Sequence, residues 1–566
     1  MISNYFKVFF ILLLFFFSNE AKSKNDQNIE FSANELSNYL SAVISYGNQE
    51  NKKALKFFKS SKSLINRHDE YLKQYIFSLV INQNVNRAIK EIKYLDDKKN
   101  SNFFESYLLL ILDNIKKGDF KKSNLYLNKI SKFKNQGTLE QIIYETLRNY
   151  IFTFERKKIN PYKSNFGNLT LINQAFERCY LDDPKTISYF ENLINSTSTD
   201  YSRYLFFYAS YLVEKNKLTH AKNILSEVDN LNSNLLILQA KMWVYENETD
   251  NFKKIFSCKN ETDILGEFFF LVSNLYLTQD DFEKSNFYLN ISNFLNKNFK
   301  FNLSIMIENY FENENFDESK NILSKFNEKD SIYYWYKIKK ISKIISKEQN
   351  DEQSLRYVET KFNKISNPSI KILFDMANIY KNFKKYNEAI KLYSKVMQSI
   401  EKDSSTYADL LYRRGSSHER LGNYKKSDLD LLSALEIIPG NSYVLNYLAY
   451  SWLERDYKIP KAIEMLETAY KQNENDPYII DSVGWGYYLT GKFEEAEEFM
   501  RRAVELMPND PIVNDHYGDI LWSLDRRVQA QYFWSNVLNL KDVDNEMREK
   551  IKVKLLKGPK KINENS

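Results

Sequence analysis

A small residue followed four positions later by a large apolar one recurs along the chain at intervals close to 34 residues. Apolar positions three and four apart mark one face of a helix, so each copy predicts a helix that buries that face. Two wider gaps are near multiples of the unit and predict diverged copies. The pairs are Ala54/Phe58, Ala88/Ile92, Ser123/Leu127, Ala221/Leu225, Ser285/Leu289, Ser319/Leu323, Ser354/Val358, Ala389/Tyr393, Ser427/Leu431, Ala462/Leu466, Ala496/Met500 and Ala530/Trp534.

A second small residue precedes most of these pairs by twelve positions, at Ala42, Ala209, Ser273, Ala377, Gly415, Gly484 and Gly518, and by thirteen at Ala449. Small residues at both sites allow two antiparallel helices to approach closely. The turn between them carries Gly or Asn, which tolerate the left-handed conformation that ends a helix. These turn residues are Gly118, Asn216, Gly422 and Gly491.

One helix pair of this size cannot bury its apolar face alone, so neighbouring pairs are expected to stack. The clearest copy reads VGWGYYLTGKFEEAEEFMRRAVELMP. It resembles the tetratricopeptide repeat family, with Val483, Gly484, Tyr487, Ala496, Met500, Ala503 and Pro508 at the family's preferred positions. The resemblance implies an all-α fold, a right-handed α-solenoid of stacked helix–turn–helix repeats in one or two solenoid segments.

The clarity of the repeat changes along the chain and predicts its organisation. The expected segments are a signal peptide at 1–23, degenerate repeats at 24–155, an irregular joint at 156–193 with Pro161, Gly167 and Pro184, further degenerate repeats at 194–365, clear repeats at 366–541, and a capping helix with a basic tail at 542–566.

Composition supports the helical prediction. Only 13 Gly and 9 Pro occur in 566 residues, fewer than the many turns of a strand-rich protein need. The 80 basic and 74 acidic residues are interspersed and leave a net charge of +6. Because no basic stripe stands out, we expect no nucleic-acid partner.

The N-terminus has the pattern of an export signal. Lys7 supplies the positive charge, Val8–Phe17 an apolar core, and Ala21–Ser23 a cleavage site of small residues. The core is short for a membrane span, although an uncleaved anchor is the alternative. We therefore expect an exported protein, in the periplasm or associated with the envelope of a Gram-negative bacterium. Membrane contact is expected only through a retained signal or the basic tail.

Cys179 and Cys258 are the only cysteines, and they lie 79 positions apart. Export permits a disulfide. A stack of repeats, however, is expected to bring only adjacent repeats into contact. The prediction is two buried free thiols rather than a bridge.

Two motifs suggest chemistry. Gly484-x-Gly486 lies inside a helical pattern with no strand before it, which argues against a nucleotide loop. His516 lies beside Asp515 and Asp519, and a solvated or groove-lining helix start explains these residues about as well as acid–base chemistry does. The zinc-peptidase, P-loop and nucleophile-elbow motifs do not occur. We predict no catalytic residue, no metal, no cofactor, no nucleotide and no enzyme activity.

The resemblance implies that the first helix of each repeat lines a concave groove. Carrying the family's groove positions onto this sequence gives a candidate partner-binding groove of Tyr412, Tyr443, Asn446, Tyr450, Tyr478, Asp481, Trp485, Tyr488, Asp515, Asp519 and Trp522. An aromatic groove with carboxylates would suit a basic or apolar peptide. The alternative is that these aromatic side chains bridge neighbouring repeats. The family's Lys/Asn/Arg clamp for a terminal carboxylate is not matched.

The expected function is that of a non-enzymatic periplasmic scaffold for protein–protein interactions in the cell envelope. Its partners would be envelope proteins or peptide segments that lie in the groove. The alternative is a glycan-binding regulator of cell-wall or polysaccharide processes, in which the aromatic groove stacks sugars.

Overall fold

In the computed structural model, the described residues are 32–66, 69–96, 102–133, 137–195, 202–328, 331–540 and 543–559. Across these ranges the chain forms 30 α-helices and no strand. The helices group into two compact units. Unit 1 comprises Met1–Ser226 and Gln239–Leu323, and unit 2 comprises Glu227–Leu238 and Ser324–Ser566. The all-α prediction is confirmed.

The first seventeen helices belong to unit 1, except that residues 227–238, which include the start of the twelfth helix, group with unit 2. They are α1 (Ala33–Gly47), α2 (Asn51–Ser60), α3 (Asp69–Ile81), α4 (Val85–Asp96), α5 (Phe104–Ile115), α6 (Phe120–Ile130), α7 (Thr138–Arg156), α8 (Asn168–Leu181), α9 (Thr186–Ile194), α10 (Ser202–Glu214), α11 (Leu218–Ser226), α12 (Leu235–Tyr245), α13 (Asp250–Ile255), α14 (Glu261–Leu277), α15 (Phe282–Leu295), α16 (Phe301–Glu312) and α17 (Phe316–Leu323).

The remaining helices belong to unit 2. They are α18 (Ser331–Glu348), α19 (Asp351–Phe362), α20 (Ile370–Asn382), α21 (Tyr386–Met397), α22 (Ser405–Arg420), α23 (Tyr424–Ile437), α24 (Ser442–Glu454), α25 (Ile459–Gln472), α26 (Pro477–Leu489), α27 (Phe493–Leu506), α28 (Pro511–Ser523), α29 (Arg527–Asn539) and α30 (Asn545–Lys557). Consecutive helices pack as pairs, and each pair packs on the next.

The paired small and large residues form the contacts that the repeat predicts. A Cβ on Gly484 in α26 would lie 3.2 Å from the Met500 side chain and 3.3 Å from the Ala496 carbonyl oxygen in α27. A Cβ on Gly518 would lie 2.3 Å from the Trp534 indole nitrogen. The two small residues therefore set the distance between paired helices, and the large residue fills the space beside them.

The predicted turn residues are also confirmed. Gly118, Asn216, Gly422 and Gly491 all have positive φ, between 58° and 79°. Each of them follows the first helix of a pair, where a left-handed residue lets the chain reverse direction.

Unit 1 contains contacts between helices that are distant in sequence. Both α3 and α4 pack against α15, and α7 packs against α14. The rings of Phe77 in α3 and Phe287 in α15 stack with centroids 4.2 Å apart. Lys52 in α2 pairs with Glu318 in α17 at 2.7 Å. The expectation that only adjacent repeats touch is therefore wrong for this unit.

These long-range contacts account for a disulfide between Cys179 and Cys258, whose Cα atoms are 5.9 Å apart. The prediction of two free thiols was wrong. The turn after the six-residue α13 lies against the C-terminal end of α8. There Lys259 donates to the Tyr180 carbonyl oxygen at 2.8 Å and pairs with Asp182 at 2.7 Å.

The expected irregular joint at 156–193 is mostly helical. It includes α8 and nearly all of α9, both inside unit 1, and only residues 157–167 form an extended loop. The predicted signal peptide at 1–23 and the last residues of the basic tail lie outside the described residues. None of the described helices combines the length and apolar character that a membrane crossing requires.

The loop at 157–167 contacts a fully buried carboxylic acid. Glu177 in α8 accepts a hydrogen bond from the Tyr162 hydroxyl at 2.9 Å and another from Thr153 at 3.1 Å. Burial raises the pKa of Glu177 to about 7. Since its ordinary value is about 4.5, the ionised form is disfavoured in the folded state.

The raised pKa of Glu177 makes unit 1 sensitive to pH. The neutral Glu177 contributes its full share to the free energy of unfolding below about pH 4.5. This share falls as the pH rises toward 7, and at pH 8 the free energy of unfolding is lower by about 3 kcal/mol. We predict that Glu177→Gln recovers most of this at pH 8 and changes little at pH 4.5. Urea unfolding at pH 8 and at pH 4.5, followed by hydrogen exchange in unit 1, measures both changes in stability. Glu246→Gln changes an exposed glutamate and is the control; equal behaviour of the two variants would contradict the prediction.

Candidate functional site

The first helices of successive pairs in unit 2 begin with the same local chemistry. Asn441, Asp476 and Asp510 accept hydrogen bonds from the first backbone N–H groups of α24, α26 and α28. Pro477 and Pro511 occupy the first turn, where no N–H is required. These caps start the three helices at equivalent positions. Since α22, α24, α26 and α28 also contact one another in sequence, their outward side chains form one surface, which we call the first-helix face, with α20 at its beginning.

An exposed ladder runs along the edge of this face. Tyr443, Tyr478 and Ile512 hold the second position of three successive first helices. Their exposed fractions are 57%, 62% and 52%. Large apolar side chains left open at equivalent positions mark a surface suited to a partner.

Aromatic side chains in the centre of the face bridge neighbouring helices. The Trp485 ring stacks on Tyr488 at 4.8 Å between centroids and on His516 of α28 at 3.9 Å. Its indole N–H donates to Glu454 of α24 at 2.7 Å. Trp485, Tyr450 and Asn446 remain partly exposed, whereas Tyr488 is buried. Trp485 thus bridges neighbouring helices, as the alternative interpretation expects, while part of its side chain stays exposed.

His516 is held in one position by its neighbours. Its Nδ1 lies 2.9 Å from an Asp481 carboxylate oxygen, and the residue is 6% exposed. Burial by itself lowers the pKa of His516, but the charge of Asp481 and its hydrogen bond raise it above 6.5. The imidazole ring, packed against Trp485 and hydrogen-bonded to Asp481, joins α26 to α28.

The remaining predicted carboxylates lie beneath the C-terminal helix. Lys554 of α30 forms ion pairs with both Asp515 and Asp519, the latter at 2.7 Å, and Lys550 adds a second contact to Asp515 at 3.2 Å. The Trp534 N–H donates to Asp519 at 3.2 Å. These carboxylates are satisfied within the chain.

Trp522 also lies under the end of α30. A Cβ on Gly558 would come within 2.5 Å of the Trp522 ring, so the chain passes directly over the indole. The structure differs from the expected groove with carboxylates, because α30 covers its far end. Asp481 is paired with His516, and Asp515 and Asp519 are paired with lysines of α30.

The other end of the face includes side chains that the family positions did not select. Tyr412 meets Tyr447 edge-on at 5.6 Å, and the Tyr447 hydroxyl donates to Glu419 at 2.9 Å. Lys381 and Arg413 lie beside them. Tyr447 and Arg413 each follow a selected position, Asn446 and Tyr412, by one residue, and Tyr447 contacts Tyr412 directly.

In the part of the chain that the structure describes, no group of three or more His, Cys, Asp or Glu residues could hold a metal ion. Gly484 and Gly486 are buried in α26, where the added Cβ at Gly486 would lie 2.9 Å from Ile463. Both glycines therefore serve helix packing.

Comparison with known proteins finds similar repeats in part of unit 2. The tetratricopeptide repeat family model matches residues 370–403, 408–441 and 484–510. A TPR repeat-containing protein of Pseudomonas aeruginosa is 33% identical over 128 residues; this alignment spans 22% of each chain. Solved structures include a thermophilic TPR protein of Thermus thermophilus, with 17% identity, a TM-score of 0.30, and coverage of 33% of this chain and 100% of that one. The pilF protein of Pseudomonas aeruginosa has 17% identity and a TM-score of 0.29, with coverage of 33% and 83%.

Three stretches of unit 2 thus match the tetratricopeptide repeat model, and the chain spans about a fifth of the length of the curated relative it matches.

Proposed function

We propose that this tetratricopeptide-repeat protein is an exported, non-enzymatic scaffold that binds a segment of a cell-envelope protein along the first-helix face. The observation that carries the proposal is the exposed ladder of Tyr443, Tyr478 and Ile512 beside the partly exposed Tyr450 and Trp485. Tyrosine and tryptophan dominate protein-binding hot spots because they bury much area at little entropic cost.

The disulfide supports a location outside the cytoplasm. Both cysteines of the chain are in the bridge, so none is held as a free thiol. Disulfides persist in the periplasm and are reduced in the cytosol. The export pattern of Lys7, Val8–Phe17 and Ala21–Ser23 supports the same location.

We predict that the double variant Tyr443→Ala/Tyr478→Ala binds its envelope partner at least ten times more weakly, since each truncation removes about 1 kcal/mol or more. The partner is first identified by crosslinking residues 24–566 in envelope extracts, and its dissociation constant is then measured with purified protein. Tyr532→Ala is the matched control, because Tyr532 is 67% exposed on α29, outside the first-helix face.

An equal loss with Tyr532→Ala, or no loss with the double variant, would rule out the first-helix face as the binding surface. The same ladder could stack sugar rings, which is the basis of the glycan-binding alternative. Cosedimentation with purified cell wall that depends on Tyr443 and Tyr478, without capture of a protein, would favour that alternative.

A further inference from the structure

A cavity of about 460 Å³ in unit 1 is lined by α2 and by the turn that joins α3 to α4. We call it the lysine cavity, because three of its seven lining residues are lysines and none is acidic. The lining residues are Lys52, Leu55, Lys56, Lys59, Ser60, Asn82 and Asn84. Its volume is within the range of sites that hold a small ligand.

The turn is fixed against α2 by hydrogen bonds. The Asn82 side-chain amide donates to the carbonyl oxygen of Asn51, the first residue of α2, at 2.9 Å, and to that of Ser78 in α3 at 2.8 Å. The Asn84 side-chain amide donates to the Asn82 carbonyl oxygen at 2.9 Å. Leu55, which is buried, adds an apolar wall. The two sides of the lysine cavity are therefore held together by the fold.

The three lysines share one face of α2. Lys56 follows Lys52 by four positions and Lys59 follows Lys56 by three, so their side chains leave the helix on the same side. Like charges at these spacings repel one another and destabilise the helix. An anion in the lysine cavity would reduce this repulsion.

Only one of the three lysines has a carboxylate partner. The Lys52 ammonium nitrogen lies 2.7 Å from a carboxylate oxygen of Glu318 in α17. The ammonium groups of Lys56 and Lys59 are exposed and form no hydrogen bond or ion pair with any residue that the structure describes. Two other carboxylates pair with lysines that do not line the cavity, Glu50 with Lys53 and Glu91 with Lys62, each at 2.7 Å. Two positive charges are thus left for a ligand.

We propose that the lysine cavity binds a phosphate monoester, with the phosphate between the ammonium groups of Lys56 and Lys59. A phosphate monoester carries nearly two negative charges at neutral pH, which match the two lysines, whereas a carboxylate carries one. Lysine binds phosphate oxygens as a compact point charge. The uncharged part of the ester would contact Leu55. This site lies in unit 1 and does not depend on the function proposed for the first-helix face.

A phosphate monoester can reach the lysine cavity from two sources. One is a small soluble ester such as glycerol phosphate, and the other is the head group of a lipid such as phosphatidic acid. Because Lys56 and Lys59 are exposed, the site is open to both sources. The experiment therefore has one arm for each.

The mature chain, residues 24–566, is titrated with glycerol phosphate by calorimetry and is sedimented with vesicles of phosphatidic acid and phosphatidylcholine in equal parts. We expect at least one probe to bind, and Lys56→Met/Lys59→Met to weaken that binding at least tenfold. Lys391→Met/Lys395→Met, which changes two exposed lysines on α21, is the matched control and should change it less than twofold. Lys56→Arg/Lys59→Arg keeps both charges and should retain most of the binding.

The two arms distinguish the sources of the phosphate. Binding of glycerol phosphate that depends on Lys56 and Lys59 shows that a soluble ester is sufficient. Binding to the vesicles alone, with the same dependence on the two lysines, assigns the phosphate to a lipid head group.

A second measurement reads the two lysines directly. The rates at which Lys56 and Lys59 react with an acylating reagent are followed by mass spectrometry. The probe that binds should slow both rates at least threefold without slowing the rate of Lys391. Acetate at the same ionic strength should slow none of the three.

The proposal is overturned if neither probe binds, or if Lys56→Met/Lys59→Met and Lys391→Met/Lys395→Met weaken binding equally. The lysines of α2 would then be an ordinary solvated surface. A probe that binds but leaves the acylation of Lys56 and Lys59 unchanged would also overturn it.

Discussion

Removing the Cys179–Cys258 bridge should lower the free energy of unfolding of unit 1 by about 4 kcal/mol. The bridge closes a loop of 79 residues in sequence, and the unfolded chain loses much of its freedom when such a loop is closed. Cleavage of the bridge restores that freedom and favours the unfolded state.

The measurement is urea unfolding of the oxidised chain, the reduced chain and the Cys179→Ala/Cys258→Ala variant, with hydrogen exchange to follow the two units separately. The reduced chain and the variant should unfold at the same lowered urea concentration. Exchange in unit 2 is the internal control and should not change. Identical midpoints for oxidised and reduced chains would contradict the prediction.

Lys554→Met should destabilise the last repeat of unit 2 by about 3–5 kcal/mol at pH 8, because it leaves charged carboxylates buried with less compensation. Asp515 is 2% exposed and Asp519 is 5% exposed, and both contact the Lys554 ammonium group. Lys550 remains near Asp515 only. Methionine keeps the length of the side chain, so the main change is the loss of charge.

The loss should depend on pH. Buried carboxylates without their cation have raised pKa values, so the variant is least affected below pH 4 and loses stability as the pH rises. Lys552→Met is the control on the same helix, since Lys552 pairs with an exposed Glu549 at the surface. Adding Asp515→Asn and Asp519→Asn to Lys554→Met should restore part of the stability. If Lys554→Met and Lys552→Met unfold alike, the buried ion pairs do not stabilise the repeat.

The sequence was sufficient to predict the helix pairs, because their contacts are local. Gly484 meets Ala496 and Met500 twelve to sixteen positions away, a spacing that is repeated along the chain. The left-handed turn at Gly491 follows from the same local rule. Such features depend on one helix pair and leave a periodic signal.

Contacts between distant elements left no such signal. Cys179 and Cys258 are 79 positions apart, and helices such as α3 and α15 meet across unit 1, with no periodic spacing in the sequence to mark either contact. The residues of the candidate groove lie on first helices, but the sequence does not show how their side chains pair. Asp481 with His516, and Asp519 with Lys554, join positions 35 residues apart.

The contact of Lys554 with Asp515 and Asp519 also sets an order of events for a chain that is synthesised from its N-terminus. Repeats can form as they emerge, yet the last one holds two buried aspartates whose cation arrives 35 to 39 residues later. Until residue 554 has emerged, Asp515 and Asp519 lack the Lys554 cation, so we expect α28 to pack less stably in the stack. The final repeat thus reports on the completeness of the chain, since a product broken off before this lysine would expose an open, protease-sensitive end.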